Sequence, residues 1–316
     1  MIETKSSGFI SIDPGQNSLR DVHNLLLSGV SPRPIALVST ISEDGIDNLA
    51  PFSFFNAFGA NPPYIAFSPA YSGKDGSAKD TLINLEKIPE CVVHAVPFDL
   101  VEQVSLASTA YSSNLSEFVK AGFDTLESDL VKPKRVKNSP FHMECRVEQI
   151  IPLGGTNGSG NLVLCRVVRF HVSEAVMADG KMMPDALDLV GRNGFNFYTR
   201  ASGAALFTVD KPTGLGMGID QLPRFIRESS ILTGNDLGKL GSLEELPTPE
   251  SAQQYLKDLE SGIHESDYHR IYREGLEFLA SDPIQAGHKI ELAAKAALAA
   301  GNSGFAINAL VLHNDQ

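Results

Sequence analysis

Asn48-Leu-Ala-Pro-Phe-Ser-Phe-Phe-Asn-Ala-Phe-Gly-Ala-Asn-Pro-Pro-Tyr64 is the stretch whose reading decides the fold, because it suits neither a plain core strand nor a loop. Phe52, Phe54 and Phe58 recur at even spacing, as residues on one face of a strand do, while Ser53, Asn56 and Asn61 set short hydrogen-bonding groups among them. Two readings fit: a half-buried aromatic strand that breaks at Pro62-Pro63, or a wall for a flat, partly polar ligand. Upstream, Ser31-Pro-Arg-Pro-Ile-Ala-Leu-Val-Ser-Thr-Ile41 has the β-branched content of a strand entering from an edge. Asp44-Gly45 accepts a tight turn, so the quoted stretch becomes the returning arm of a hairpin, with a third strand over 64–68.

Downstream, a polar glycine loop passes into Leu82, Leu85 and Ile88 at helical spacing, which starts a helix near Asp80. Lys79, Asp80 and Thr81 then combine an ammonium, a capping carboxylate, a hydroxyl and free backbone N–H groups. That set seats a phosphate, or is an ordinary helix start beside a solvated lysine. Strands follow over 90–97, 140–151 and 161–172, the last two a hairpin around Gly154-Gly-Thr-Asn-Gly-Ser-Gly160, and short helices over 99–109 and 115–121. Arg166, Arg169 and His171 make one face of the second hairpin arm wet or ligand-directed. Short strands joined by turns, without strand and helix alternation, predict a closed antiparallel barrel or sandwich. Arg192 and Tyr198 read as a cation and ring at a pocket rim, or as a solvated arginine and a packed tyrosine. After Pro212-Thr-Gly-Leu-Gly-Met-Gly218 the character of the chain changes. Segments 220–228, 249–259, 266–279, 284–300 and 305–312 carry helical spacing or strong helix formers, which predicts a helical extension serving packing or oligomerisation.

The net charge of −12 and the lack of Lys/Arg clusters argue against nucleic-acid binding. No apolar run reaches membrane-span length, and the first six residues lack signal-peptide order, so the cytoplasm is the expected compartment. Cys91, Cys145 and Cys165 are far apart in apolar runs and read as small buried hydrophobes, and the eight histidines show no metal-ligand spacing. No nucleophile elbow, Walker loop or dinucleotide fingerprint is present.

Taken together, Arg33-Pro-Ile-Ala-Leu-Val-Ser-Thr40, Asn48-Leu-Ala-Pro-Phe-Ser-Phe-Phe-Asn56 with Asn61-Pro-Pro63, Lys79-Asp-Thr-Leu-Ile-Asn84 and Ser139-Pro-Phe-His-Met-Glu-Cys145 resemble the flavin reductase-like family, in its flavoredoxin-type branch. The resemblance spans about residues 25–200. It implies a mainly β, Greek-key-like FMN-binding split β-barrel over 1–205, normally a homodimer, with 206–316 as a helical extension that compact members lack. It maps phosphate and ribityl contacts to Ser68, Lys79, Asp80 and Thr81, and isoalloxazine contacts to Asn48, Ala50, Pro51, Phe52, Ser53 and Asn56. Ser39 joins these from the neighbouring strand, and His142, Arg192 and Tyr198 stand at the rim or across a dimer interface. The implied chemistry is hydride transfer from NADH or NADPH to FMN, then electron delivery to free flavin, oxygen, another small-molecule acceptor or a monooxygenase partner. No separate catalytic acid or nucleophile is required, since the cofactor carries the difficult step. The alternatives are a non-enzymatic FMN-binding electron carrier or flavin-responsive interaction module, and a flavin-dependent oxidase or oxygenase acting on an organic substrate.

Overall fold

The computed structural model describes residues 3–4, 8–209, 211–212, 214–260 and 266–313. Residues 1–2 and 5–6, within the stretch read against a signal peptide, lie outside this set. The chain divides into two compact units, Met1–Phe207 and Thr208–Gln316.

In the first unit, seven strands form one antiparallel sheet: β1 (Ala36–Ile41), β2 (Asp47–Phe52), β3 (Phe55–Ala60), β4 (Pro63–Phe67), β5 (Glu90–His94), β6 (Phe141–Pro152) and β7 (Asn161–Val172). Their spatial order is β2-β1-β5-β6-β7-β4-β3. The opening stretch is therefore not a single hairpin arm. It is two strands at opposite edges of the sheet, joined only by Ser53 and Phe54. Phe52 and Phe55 are three residue steps apart, at most about 11 Å, whereas the outer strands of a flat seven-stranded sheet lie about 29 Å apart. The sheet must roll until its edges nearly meet. Among the described residues no ladder joins β2 to β3, so the cylinder is split, and is neither the closed barrel nor the sandwich that the strand pattern alone predicts.

Alternation along the strands divides the packing between the two faces. Val38, Ile65, Phe67, Val93 and Val163 fill the inside of the roll. Leu37, Leu49 and Val136 pack outside with Val104, Phe118 and Phe123, which covers one outer face with α3 (Val101–Leu106) and α4 (Glu117–Lys120). Before these come α1 (Leu19–Gly29) and α2 (Asp80–Lys87). Cys91, Cys145 and Cys165 are buried inside the roll, with the Cys91 and Cys165 sulfurs 4.0 Å apart. The β6–β7 hairpin runs from Phe141 opposite Val172 to Pro152 opposite Asn161, and the glycine run is its loop. Its polar side chains find partners: Arg166 with Glu148 at 2.8 Å and Arg169 with Asp129 at 3.2 Å.

The second unit contains α5 (Gly234–Gly241), α6 (Pro249–Glu260), α7 (Asp267–Phe278), α8 (Pro283–Ala299) and α9 (Ser303–Leu312). It has its own core, in which Leu240, Ile290, Ala293, Leu298, Phe305 and Leu310 are buried together. Sequence reading misses α5 because its three glycines resemble a loop. A capping box offsets their cost, with Thr233 accepting from the Asp236 amide and Asp236 accepting from the Thr233 amide. Conversely, the helix expected over 220–228 shrinks to the single turn Arg224–Arg227. No helix among the described residues is long and apolar enough to cross a membrane.

Candidate functional site

A trough made of three cavities that share lining residues runs along the first unit. It begins in a cavity of 250 Å³ lined by Asn48, Ala50, Pro51 and Phe52 of β2, by Lys79, Asp80 and Thr81 at the start of α2, by residues 107–111 and by Glu117. Pro51, Phe52 and Ser108 also line a second cavity of 380 Å³, which adds Ser53, Ser105, Arg192, Asn196 and Tyr198. Arg192, Asn196 and Tyr198 in turn line a third of 410 Å³, which reaches Phe98, Glu102 and Arg200.

The first compartment has the donors an anion needs. Asp80 and Thr81 open α2, so their amides have no carbonyl one turn back within the helix, and the positive end of the helix dipole faces the same way. Lys79 is the N-cap residue, and no side chain caps the helix, which corrects the expectation of an Asp80 carboxylate cap. Thr81 is only 1% exposed, and its hydroxyl oxygen accepts from the Asn48 side-chain amide at 3.0 Å, which leaves its proton free to donate. The same amide donates to Thr40 at 3.0 Å, as does that of Asn84, so Asn48 is held in place by a buried network. Sequence reasoning missed Glu117. It is 7% exposed and accepts from the Leu49 amide at 3.0 Å, and burial, partly opposed by that amide, pushes its carboxyl up. A proton on Glu117 would remove a charge that opposes an anion in this compartment.

Along the middle compartment, Pro51 and Phe52 present an apolar wall beside the Ser53 hydroxyl, which accepts from Arg33 Nε at 3.2 Å. Arg33 itself is 4% exposed and donates to the carbonyls of Leu27, Val30 and Asn193. At the far side the Arg192 guanidinium lies 4.6 Å from the Tyr198 ring centre, and that of Arg200 4.0 Å from the Phe98 ring centre. Asp188 accepts two bonds of 2.7 Å from Arg200.

Ten of the fourteen residues singled out from sequence thus line one trough: Asn48, Ala50, Pro51, Phe52, Ser53, Lys79, Asp80, Thr81, Arg192 and Tyr198. Four are placed elsewhere. Ser39 is fully buried and donates to the Lys134 carbonyl at 2.6 Å, because strand alternation turns it to the face covered by that loop. Asn56 falls on β3, across the split, where it lines an apolar recess of 420 Å³ with Phe55, Ile65 and Met143. Ser68 follows β4 at the same edge, bonding through its amide to the Phe54 carbonyl at 2.9 Å. His142 is 5% exposed, donates from Nε2 to the Ser139 carbonyl at 2.8 Å, and packs beside His94 and His171. His171 meets Glu144 at 2.7 Å, with Asp129 close by. Burial raises the Glu144 carboxyl, but the amides of Asp129 and Leu130 and the His171 ring outweigh it and lower it overall.

The sequence matches the family described as flavin reductase like domain over residues 28–185, and the chain belongs to that flavin reductase-like family. An uncharacterized protein of Halalkalibacterium halodurans is 36% identical over 206 residues, which cover 65% of this chain and 97% of that one. Nitrilotriacetate monooxygenase component B from Bacillus cereus is 33% identical, superimposes with a TM-score of 0.60, and is matched over 65% of this chain and all of its own. Flavoredoxin of Desulfovibrio vulgaris (Miyazaki F), 17% identical with a TM-score of 0.50, shares the fold over 63% of this chain and 96% of its own. The second unit lies outside the family match.

Proposed function

We propose that the chain is an FMN-dependent oxidoreductase that takes hydride from NADH or NADPH and passes the electrons to an acceptor. One observation carries the reading: the donor-rich compartment at Lys79 and Thr81 opens directly onto the apolar wall of Pro51 and Phe52. A phosphate suits the first and a flat ring the second. Lys79, the Thr81 hydroxyl and the first amides of α2 would hold the phosphate, with Asn48 fixing the Thr81 rotor. Pro51 and Phe52 would exclude water from one ring face, while backbone groups of Ala50 and Pro51 and the Ser53 hydroxyl met its polar edge. Bound FMN would supply the hydride-accepting ring, which is why the trough needs no nucleophile or metal of its own. Electron transfer to a partner oxygenase is a second reading, favoured by the likeness to a protein named as component B of a monooxygenase.

Adding FMN to the purified chain should give a bound flavin spectrum, and anaerobic NADH or NADPH should bleach it within seconds. A flavin that binds yet stays yellow with both nucleotides would leave a carrier. No binding at all would reject the FMN site.

A further inference from the structure

The end of the trough beyond Pro51 and Phe52 carries two like charges in direct opposition. Arg33 and Arg192 are cross-strand partners, between the short strands Arg33–Pro34 and Val190–Arg192. Like charges placed this way repel each other, and the strain rises with burial. Among the described residues neither has a carboxylate partner. Arg33 is satisfied by three carbonyls and Ser53, whereas among the described residues Arg192 makes a single 3.4 Å bond, to the Phe197 carbonyl. Burial, with the Arg192 charge second, lowers the Arg33 pKa. An anion against Arg192 would relieve this opposition.

The surroundings say which anion. Arg192 lies over the Tyr198 ring, and the adjoining cavity is walled by Phe98, Val101 and Val190. Its other guanidinium, Arg200, is already neutralised by two bonds to Asp188, and Glu102 contributes a negative charge to the lining. Among the described lining residues Arg192 is therefore the cation without a carboxylate partner, and Glu102 limits how much negative charge a ligand can add. That balance fits a planar ring with a single negative charge, and it disfavours a dinucleotide pyrophosphate, which brings at least two. The guanidinium fork matches a carboxylate through two parallel bonds.

We infer that Arg192, with Tyr198, forms a subsite for an aromatic carboxylate, the second substrate of the flavin site. Its role as second substrate rests on the flavin reading, but the binding itself does not. The probe is benzoate, with benzamide as its neutral counterpart, titrated by calorimetry into the chain with and without FMN. Benzoate should bind at least tenfold more tightly than benzamide. Arg192→Ala should weaken benzoate about 10- to 100-fold while sparing benzamide, as expected for loss of a charge-assisted pair. Arg192→Lys, which keeps the charge without the fork, should fall between. The subsite is refuted if the two probes bind alike, or if Arg192→Ala leaves benzoate unchanged. It is also refuted if Arg192→Ala weakens FMN as much as benzoate, or raises the KM for NADH or NADPH with benzoate unaffected. A chain that binds benzoate through Arg192 but never binds FMN would reject the flavin reading and keep the subsite.

Discussion

Acidification should loosen the β-sheet of the first unit through two buried histidines. His94 is fully buried, with Nδ1 donating to the Leu37 carbonyl at 2.8 Å and Nε2 accepting from the Val136 amide at 3.0 Å. A second proton would have to enter at Nε2, against an N–H already aimed there. Burial, then the neighbouring His142, bring the His94 pKa down to about 3. His142 has a buried Nδ1 with no partner, and burial, opposed by the Ser139 carbonyl, brings its pKa down to about 4. Arg135 adds to both shifts. A histidine whose folded pKa lies below its unfolded value, near 6.5, binds fewer protons when folded. Its stabilisation is whole above that value and is lost as pH falls toward the folded one. Between pH 7 and 5 each histidine loses about 1.9 kcal/mol, together about 3.7 kcal/mol. Carboxylates act mostly below this window; Glu117, with its raised pKa, works in the opposite sense. The assay is amide exchange read by mass spectrometry on peptides covering Glu90–His94 and the start of β6, corrected for intrinsic rates. Protection should drop roughly 500-fold where these amides open with the whole unit. His142→Gln should retain about half of that slope. Protection constant within threefold from pH 7 to 5, or a full slope in the variant, would show that these rings do not set the acid sensitivity.

Lys79→Ala with Thr81→Ala should weaken FMN binding by about 2 to 4 kcal/mol, measured by quenching of flavin fluorescence; unchanged affinity would remove the phosphate from this end of the trough. Gly241→Ala should destabilise the second unit by about 1 to 3 kcal/mol in urea unfolding, since the new methyl would stand 2.9 Å from the Ile219 amide nitrogen and 3.0 Å from the Gly218 carbonyl carbon. Thr233→Ala should cost that unit about 0.5 to 2 kcal/mol by breaking the capping box, and no change in the unfolding midpoint would mean the cap adds nothing there.

Local order was legible in the sequence wherever a short-range rule governed it. The turn at Asp44-Gly45, the helix start at Asp80, the hairpin around the glycine run and most of the C-terminal helices follow from spacing and turn chemistry within a few residues. The family was legible too, from four motifs in order, because each is a local pattern. What the chain could not disclose locally is which residues meet after a long excursion. Asn48 through Tyr64 read as one continuous wall, yet the roll of the sheet sends its halves to opposite edges. Asn48, Ala50, Pro51 and Phe52 go to the trough, and Asn56 goes across the split. Glu117 and Arg33 gave no spacing signal, since their importance comes from burial against Leu49 and opposite Arg192. The three cysteines, remote in sequence, share one interior because β5, β6 and β7 are neighbours. Sequence determines the strands and helices through local sterics and periodicity. The site depends on sheet order and curvature, which non-local packing sets, and only the tertiary structure shows them.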